Sequence, residues 1–526
     1  MRRIALLSAA VTVLLAAPCL PAQEPRLPDI GSSAGELLSP TQQGRYGGML
    51  LAQLRHYDYV LEDPLIDSWI DTLGSRLAAN SDQPRQPFTF FMLRQREINA
   101  FATLGGYIGM NAGLVLAADR EDEVAAVLSH EIAHVTQDHV LRAVERAQRD
   151  QLPILLAMLG AIVIAQSAGG NSSDDAAQAA IVSAMGLAQQ RQIDYTRSSE
   201  SEADRVGIQT LSRSRYDVDA MAGFFSTLQA RSRTNAANWF GETPDYLRTH
   251  PVTTTRISEA KERAEQIART PQNLVDAGGL GDNPLLPGGF QVGGKAAAGG
   301  TGQFAFARER LRVLTAETPA LALKEYERIS KAAPLDDAQR YGQAVARLQA
   351  NQSVAAADAL AELLEKHPGD RWITLALAEA EARSGKAASA DARLEELLRH
   401  NPRNRAIALT YARILGERNT PASGQRAQAV LRPLLAEAGD DALFQRTFAR
   451  ASEIAGDPVR AGEAYAEAAY LSGRPEQALL QLNTLKQRPQ LDYYARARIE
   501  ARIAAITPTV LELKRQGIRD EDLRRN

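Results

Sequence analysis

Two histidines four residues apart, with a glutamate beside the first, are the residues best suited to chemistry: Ser129 is followed by His130-Glu131-Ile-Ala-His134. Along an α-helix each residue turns about 100°, so positions four apart project about 40° from each other and both imidazoles can reach one ion. Glu131 stands next to them, where a carboxylate can take a proton from an attacking water. The pattern occurs by chance in long chains. Here it falls in a chain with 7 histidines, inside a stretch from Asp119 to Ala147 that reads as one long helix. Asp119, Asp122 and Glu123 suit its N-terminus, and Val124, Val127, Leu128, Ile132 and Val135 give it an apolar side.

A catalytic zinc uses three protein ligands and one open position, so a third ligand is required. His139 follows His134 by five residues, which on a continuous helix rotates it roughly 140° off the ligand face; it reads as a polar residue at the helix end. The run Ser199-Glu200-Ser201-Glu202-Ala203-Asp204-Arg205 is the better source. Glu200 and Asp204 share a helix face, so one can bind the ion while the other accepts a hydrogen bond from a ligand imidazole. Glu202 points elsewhere.

Several elements must position these residues. Leu65, Ile66, Trp69, Ile70, Leu73 and Leu77 recur at helical spacing, whereas Phe88 to Leu93 and Tyr107 to Met110 are short β-prone runs, the second preceded by Gly105-Gly106. This reads as a small sheet among helices. Ile154 to Ala165 is apolar but too short to span a bilayer; it is either a buried core helix or a peripheral membrane or substrate contact. Past a Gly-rich linker the chain becomes Ala-, Leu-, Glu- and Arg-rich, with Pro334, Pro368 and Pro402 spaced by 34 residues. That period, with a helix pair per unit, marks tetratricopeptide repeats. Ala356, Gly385 and Ala390 fall where paired helices would pack closely.

The 526 residues are 45% hydrophobic and 23% charged, with a formal net charge of −3, a profile of a globular chain with no basic face for nucleic acid. Arg2 and Arg3 precede an apolar run to Ala17, and small residues lead to Ala22, the layout of a secretory signal peptide cleaved near Ala22. Cleavage there removes Cys19, the only cysteine. Any zinc in the exported chain then rests on His, Asp or Glu.

Four stretches in order, Asn99 to Leu114, His130 to His134, Glu200-x-x-x-Asp204 and Thr249-His250-Pro251, resemble the gluzincin metallopeptidases that include HtpX and the CAAX-type prenyl endopeptidases. The expected architecture is α+β and mostly α: a signal peptide at 1–22, a zinc-metallopeptidase domain with a small β-sheet at 23–268, a linker at 269–304 and an α-solenoid of tetratricopeptide repeats at 305–526. The resemblance implies one Zn2+ per subunit on His130, His134 and Glu200, with Glu131 as general base and Asp204 supporting a ligand. It further implies His250 as a latch or fourth zinc ligand and Arg256 as a candidate transition-state stabiliser; the hydrolytic mechanism needs one donor besides the metal, for which Tyr195 is the other candidate. Gly105, Gly106, Tyr107, Ile108, Gly109 and Met110 would form the edge strand on which substrate lies, or else an ordinary core strand. The implied function is a periplasmic endopeptidase acting on misfolded or stalled outer-membrane proteins, its repeats binding substrate or the outer-membrane β-barrel assembly machinery. The alternative is a chaperone or adaptor in the same assembly with a mostly latent peptidase site.

Overall fold

The computed structural model describes residues 38–146, 196–237, 246, 250–269, 300–489 and 491–515. The expected signal peptide at 1–22, Ile154 to Ala165, Tyr195 and most of the expected linker at 269–304 lie outside the described residues. No helix among the described residues is long and apolar enough to cross a membrane.

Among the described residues the sheet has three strands, β1 (Thr89–Leu93), β2 (Ala100–Ala102) and β3 (Tyr107–Asn111), in the order β1-β3-β2. β3 runs parallel to β1, Thr89 opposite Tyr107, and antiparallel to β2, Ala100 opposite Met110. Tyr107 to Met110 is therefore the central strand, with ladder hydrogen bonds on both sides. The expectation that Gly105 to Met110 offers a substrate edge is corrected on that ground. Gly105 and Gly106 instead form the tight turn into β3 at φ 73° and 81°, and a Cβ on Gly106 would lie 2.1 Å from the Pro87 carbonyl oxygen. The outer side of β1 is taken by residues 59–61, through Leu61 N–H to the Met92 carbonyl at 2.8 Å and Arg94 N–H to the Tyr59 carbonyl at 2.9 Å.

Packed beside β2 is the helix Glu121–Thr136, in which every residue but Asp122 is buried. Helices Pro64–Ala79 and Asp219–Ala237 also cover it. The first of these starts on an Asp63 cap with proline in its first turn, and buries Leu65, Ile66, Trp69, Ile70, Leu73 and Leu77 as their spacing predicts. The His130 helix stops at Thr136, short of the expected Ala147. Asp138 adopts φ 52°, a left-handed conformation that aspartate tolerates better than most residues, and a new helical stretch covers 139–146.

From Phe304–Leu314 to Tyr493–Arg515 the chain folds as successive helices joined by short turns, which places neighbours antiparallel. Helices ending at Ala332, Lys366 and His400 stop just before Pro334, Pro368 and Pro402. The 34-residue period also appears as ion pairs between equivalent positions of successive hairpins: Arg383–Glu417, Arg413–Glu379 and Arg403–Glu437. Ala356 and Ala390 are fully buried, whereas Gly385 is a turn residue at φ 87° with open space around it rather than a close-packing position.

The helical array docks directly on the sheet-containing part. Arg310 places Nε and Nη2 on the two Asp63 carboxylate oxygens at 2.8 and 2.6 Å, and Arg405 Nη1 reaches Asp67 at 3.1 Å. Burial alone would raise the Asp63 carboxyl, but the Arg310 guanidinium overrides it and holds the group below its ordinary range. Asp63 also caps the Pro64–Ala79 helix, so it serves both units.

Removing Asp63 strands a buried guanidinium and uncaps a core helix. Asp63→Ala should cost about 3 kcal/mol or more in chemical unfolding, while Arg426→Ala, which breaks an exposed pair with Glu395, should cost under about 1 kcal/mol. Because the folded carboxyl is depressed, its contribution is complete above the unfolded value and is lost as pH falls through the folded one. Equal costs for the two variants would refute the docking role.

Candidate metal centre

Small residues bring the two helices that carry the ligands close together. Glu200, Asp204 and Gly207 recur at i, i+4 and i+7 of the helical stretch 196–213, so they share one face. A Cβ on Gly207 would sit 3.1 Å from the His130 backbone, and Ala203 and Val206 pack on Ala133. A larger residue at 207 would push the carboxylates away from the imidazoles.

His130, His134, Glu200 and His250 each offer one ligand atom, and the four atoms lie within 4.8 Å of one another, all on buried residues. His130 Nε2 is 3.0 Å from His134 Nε2 and 3.4 Å from His250 Nδ1. Glu200 lies 3.4 Å from both helix imidazoles and 2.9 Å from His250 Nδ1. On the far side of the His130 ring, Asp204 Oδ1 is 2.9 Å from Nδ1, which leaves Nε2 as the nitrogen for a metal. Two imidazoles, a carboxylate and a third imidazole make a zinc-type donor set.

The Glu131 side chain is fully buried, and neither carboxylate oxygen has a hydrogen-bond partner among the described residues. His250 Nε2 lies 3.7 Å from Glu131 Oε1. A carboxylate in that condition calls for a cation or a donor at the cluster. The imidazoles give the same reading. Burial by itself would depress His130, but Asp204 and Glu200 override it and push the ring up to about 10, while burial takes His134 down to about 3. Burial would likewise raise Glu200, yet contacts with His130, His134 and His250 hold it well below the ordinary carboxylate range. The buried carboxylates thus stay ionised and draw a proton onto His130, a place that a metal cation can take instead, since metal ligands bind deprotonated. These residues fit a bound divalent metal.

The structure brings together His130, Glu131, His134, Glu200 and Asp204, which residue type and spacing group, and His250, to which only the family resemblance points, and it places Arg256 differently. Its Nε and Nη2 donate to Asp204 at 2.7 and 2.8 Å, and Nη1 donates to the Pro251 carbonyl at 2.9 Å and lies 2.8 Å from Glu200. The guanidinium is buried over the Phe225 ring, 4.8 Å from its centroid. Arg256 is thus committed to holding the ligand carboxylates and the His250 loop rather than free to stabilise a transition state. Three further partners join the site: Tyr246 and Gly207, which carry no sequence signal, and His139, which spacing on a continuous helix turns away from the ligand face. Tyr246 stacks on His250 at 4.7 Å and its carbonyl accepts the His250 N–H at 2.7 Å. His139, turned back by the break at Asp138, puts Nδ1 2.9 Å from His134 Nδ1 and Nε2 3.1 Å from Glu202. Gly207 is the third.

A cleft of about 790 Å³ lies away from these residues, between the helix Pro40–His56 and the last hairpins, and is lined by Tyr46, Tyr107, Asp440 and Tyr470 among others. The cluster is enclosed and polar, so the chemistry rather than the volume identifies it.

Comparison with known proteins agrees with this geometry. Residues 64–264 match peptidase family M48. The β-barrel assembly-enhancing protease of Yersinia pestis is 32% identical over 486 residues, 92% of each chain, and that of Escherichia coli strain K12 is 31% identical over 502 residues, 95% of each. A Vibrio cholerae relative is 43% identical over 256 residues, 48% of this chain and 51% of its own length. The chain belongs to peptidase family M48, among the β-barrel assembly-enhancing proteases.

Proposed function

We propose that this metalloendopeptidase uses zinc, is exported to the periplasm by a signal peptide at 1–22, and hydrolyses misfolded or stalled outer-membrane proteins there. The observation that carries the reading is the partnerless buried Glu131 carboxylate beside four converging ligand atoms. The names of the relatives, β-barrel assembly-enhancing protease, support the link to outer-membrane assembly.

His130, His134 and Glu200 would hold the ion. The chemistry a zinc ion would supply there, when bound, is Lewis acidity toward a peptide carbonyl and toward water. Glu131 accepts the proton of the attacking water and returns it to the amine nitrogen as the C–N bond breaks. Asp204 orients His130, and Arg256 ties Asp204, Glu200 and the Pro251 carbonyl into one unit. Substrate orientation falls to β2, which packs beside the His130 helix and whose outer side carries no strand among the described residues. An extended chain added there is recognised through main-chain hydrogen bonds with modest sequence preference.

His250 reaches both Glu200 and His130, a contact suited to a fourth ligand that keeps the site closed until substrate displaces it. The helical hairpins of 305–526 are read as tetratricopeptide repeats whose concave side takes substrate or the assembly machinery. The same His250 contact favours a second reading, an adaptor whose peptidase is mostly silent. Glu131→Gln separates the two: loss of the cellular effect supports proteolysis, and its retention supports the adaptor.

The purified mature chain should carry about one zinc per subunit, and His134→Ala should lose it in elemental analysis. Glu131→Gln should keep the metal yet hydrolyse an unfolded protein slower by a factor on the order of 10² or more. Full zinc in His134→Ala would overturn the ligand assignment, and near-normal cleavage by Glu131→Gln would overturn the mechanism. His250→Ala should retain zinc and digest the same substrate faster than wild type in a side-by-side assay; a slower, zinc-loaded variant would end the latch reading.

A further inference from the structure

His134 meets two neighbours through its two ring nitrogens. Nε2 faces His130 Nε2 at 3.0 Å and Glu200 at 3.4 Å, inside the ligand cluster. Nδ1 faces His139 Nδ1 at 2.9 Å, with the rings 4.8 Å apart and nearly perpendicular. His139 Nε2 then lies 3.1 Å from Glu202 Oε2, and Arg142 Nη2 donates to the same oxygen at 2.8 Å. His139 is buried, whereas the Glu202 and Arg142 side chains are about one third exposed.

Only one proton arrangement satisfies this chain. Two imidazole nitrogens 2.9 Å apart need one hydrogen between them. If His139 donated, the neutral His134 would carry its proton on Nε2 and close that nitrogen to a metal, and a lone pair on His139 Nε2 would face a carboxylate. With His134 Nδ1–H as donor, its Nε2 lone pair is free, His139 accepts at Nδ1, and His139 Nε2–H donates to Glu202. His134 Nδ1 and both His139 nitrogens are then satisfied, and His134 Nε2 alone is left for a metal.

We propose that His139 and Glu202 are positioning residues that fix the tautomer and orientation of His134, so that the metal is supported through a histidine-to-histidine-to-carboxylate relay anchored near the surface by Arg142. The proposal rests on the metal reading above. It gives the two helix imidazoles unlike supports: a buried carboxylate, Asp204, behind His130, and a second imidazole behind His134. The left-handed Asp138 is what makes the second support available, since it turns His139 back over the end of the helix.

The test is zinc affinity of the full mature chain, by competition with a chromophoric chelator, alongside the visible spectrum of the cobalt-substituted protein. His139→Ala should still bind one zinc at saturating metal but about 10- to 100-fold more weakly, the scale of lost ligand support, with shifted cobalt bands. Glu202→Ala should weaken binding in the same direction by a smaller factor. Glu202→Gln should restore most of that loss, because its amide oxygen still accepts from His139 Nε2–H. Wild-type affinity and spectrum in both His139→Ala and Glu202→Ala would overturn the relay. Equal weakening by Glu202→Gln and Glu202→Ala would also overturn it, since charge and not acceptance would be what matters. Should His139→Ala fail to fold by circular dichroism, the two Glu202 variants decide alone. Zinc retained without His134 would instead sink the ligand assignment on which the relay stands.

Discussion

Charge buried away from water has to be answered by other charge, and in this chain the requirement is concentrated around His130. Glu131, Glu200 and Asp204 sit in a dry interior with three imidazoles and one guanidinium. Arg256 answers Asp204 and part of Glu200, which leaves Glu131 without a hydrogen bond and His130 pushed up to about 10. Such a cluster would be destabilising in an ordinary core, because isolated buried carboxylates are costly. A divalent cation removes that cost. The same arrangement explains why the His130 helix is enclosed on nearly every side and why Gly207 is needed where the second helix crosses it.

The helical array belongs to this account through its contacts with the first turn of the Pro64–Ala79 helix. Asp63 caps that helix and receives Arg310, Asp67 receives Arg405, and Trp69 packs near Phe304 at 6.4 Å between centroids. The Pro64–Ala79 helix in turn packs on the helix bearing His130 and His134. The hairpins therefore rest on the element that backs the ligand helix rather than hanging from a free tether. A second contact is direct: Thr301 N–H, just before the first helix of the array, donates to Glu121 at the start of the ligand helix at 2.9 Å.

Much of the centre was legible because helical geometry is regular. His130 and His134, and Glu200 and Asp204, are pairs at i and i+4, and their residue types name the chemistry. The Pro64–Ala79 core stripe and the prolines that close the hairpins were legible for the same reason. Strand order was not. Tyr107 to Met110 is β-prone and follows two glycines, but nothing local distinguishes a central strand from an edge, since that depends on where β1 and β2 pair. His139 was misplaced because one left-handed residue, Asp138, breaks a helix that the apolar pattern continues. Arg256 was recognised as belonging to the site, yet its role followed only from the two carboxylates and the carbonyl that use up its donors.

The claim on which all of this depends is that His130, His134, Glu200 and His250 surround one metal ion. X-ray absorption at the zinc edge of the purified chain tests it without reference to activity. The account predicts a four-coordinate shell of nitrogen and oxygen with multiple-scattering features of three imidazoles, falling to two in His250→Ala. A zinc shell showing one imidazole or none, or one unchanged by His250→Ala, would contradict it.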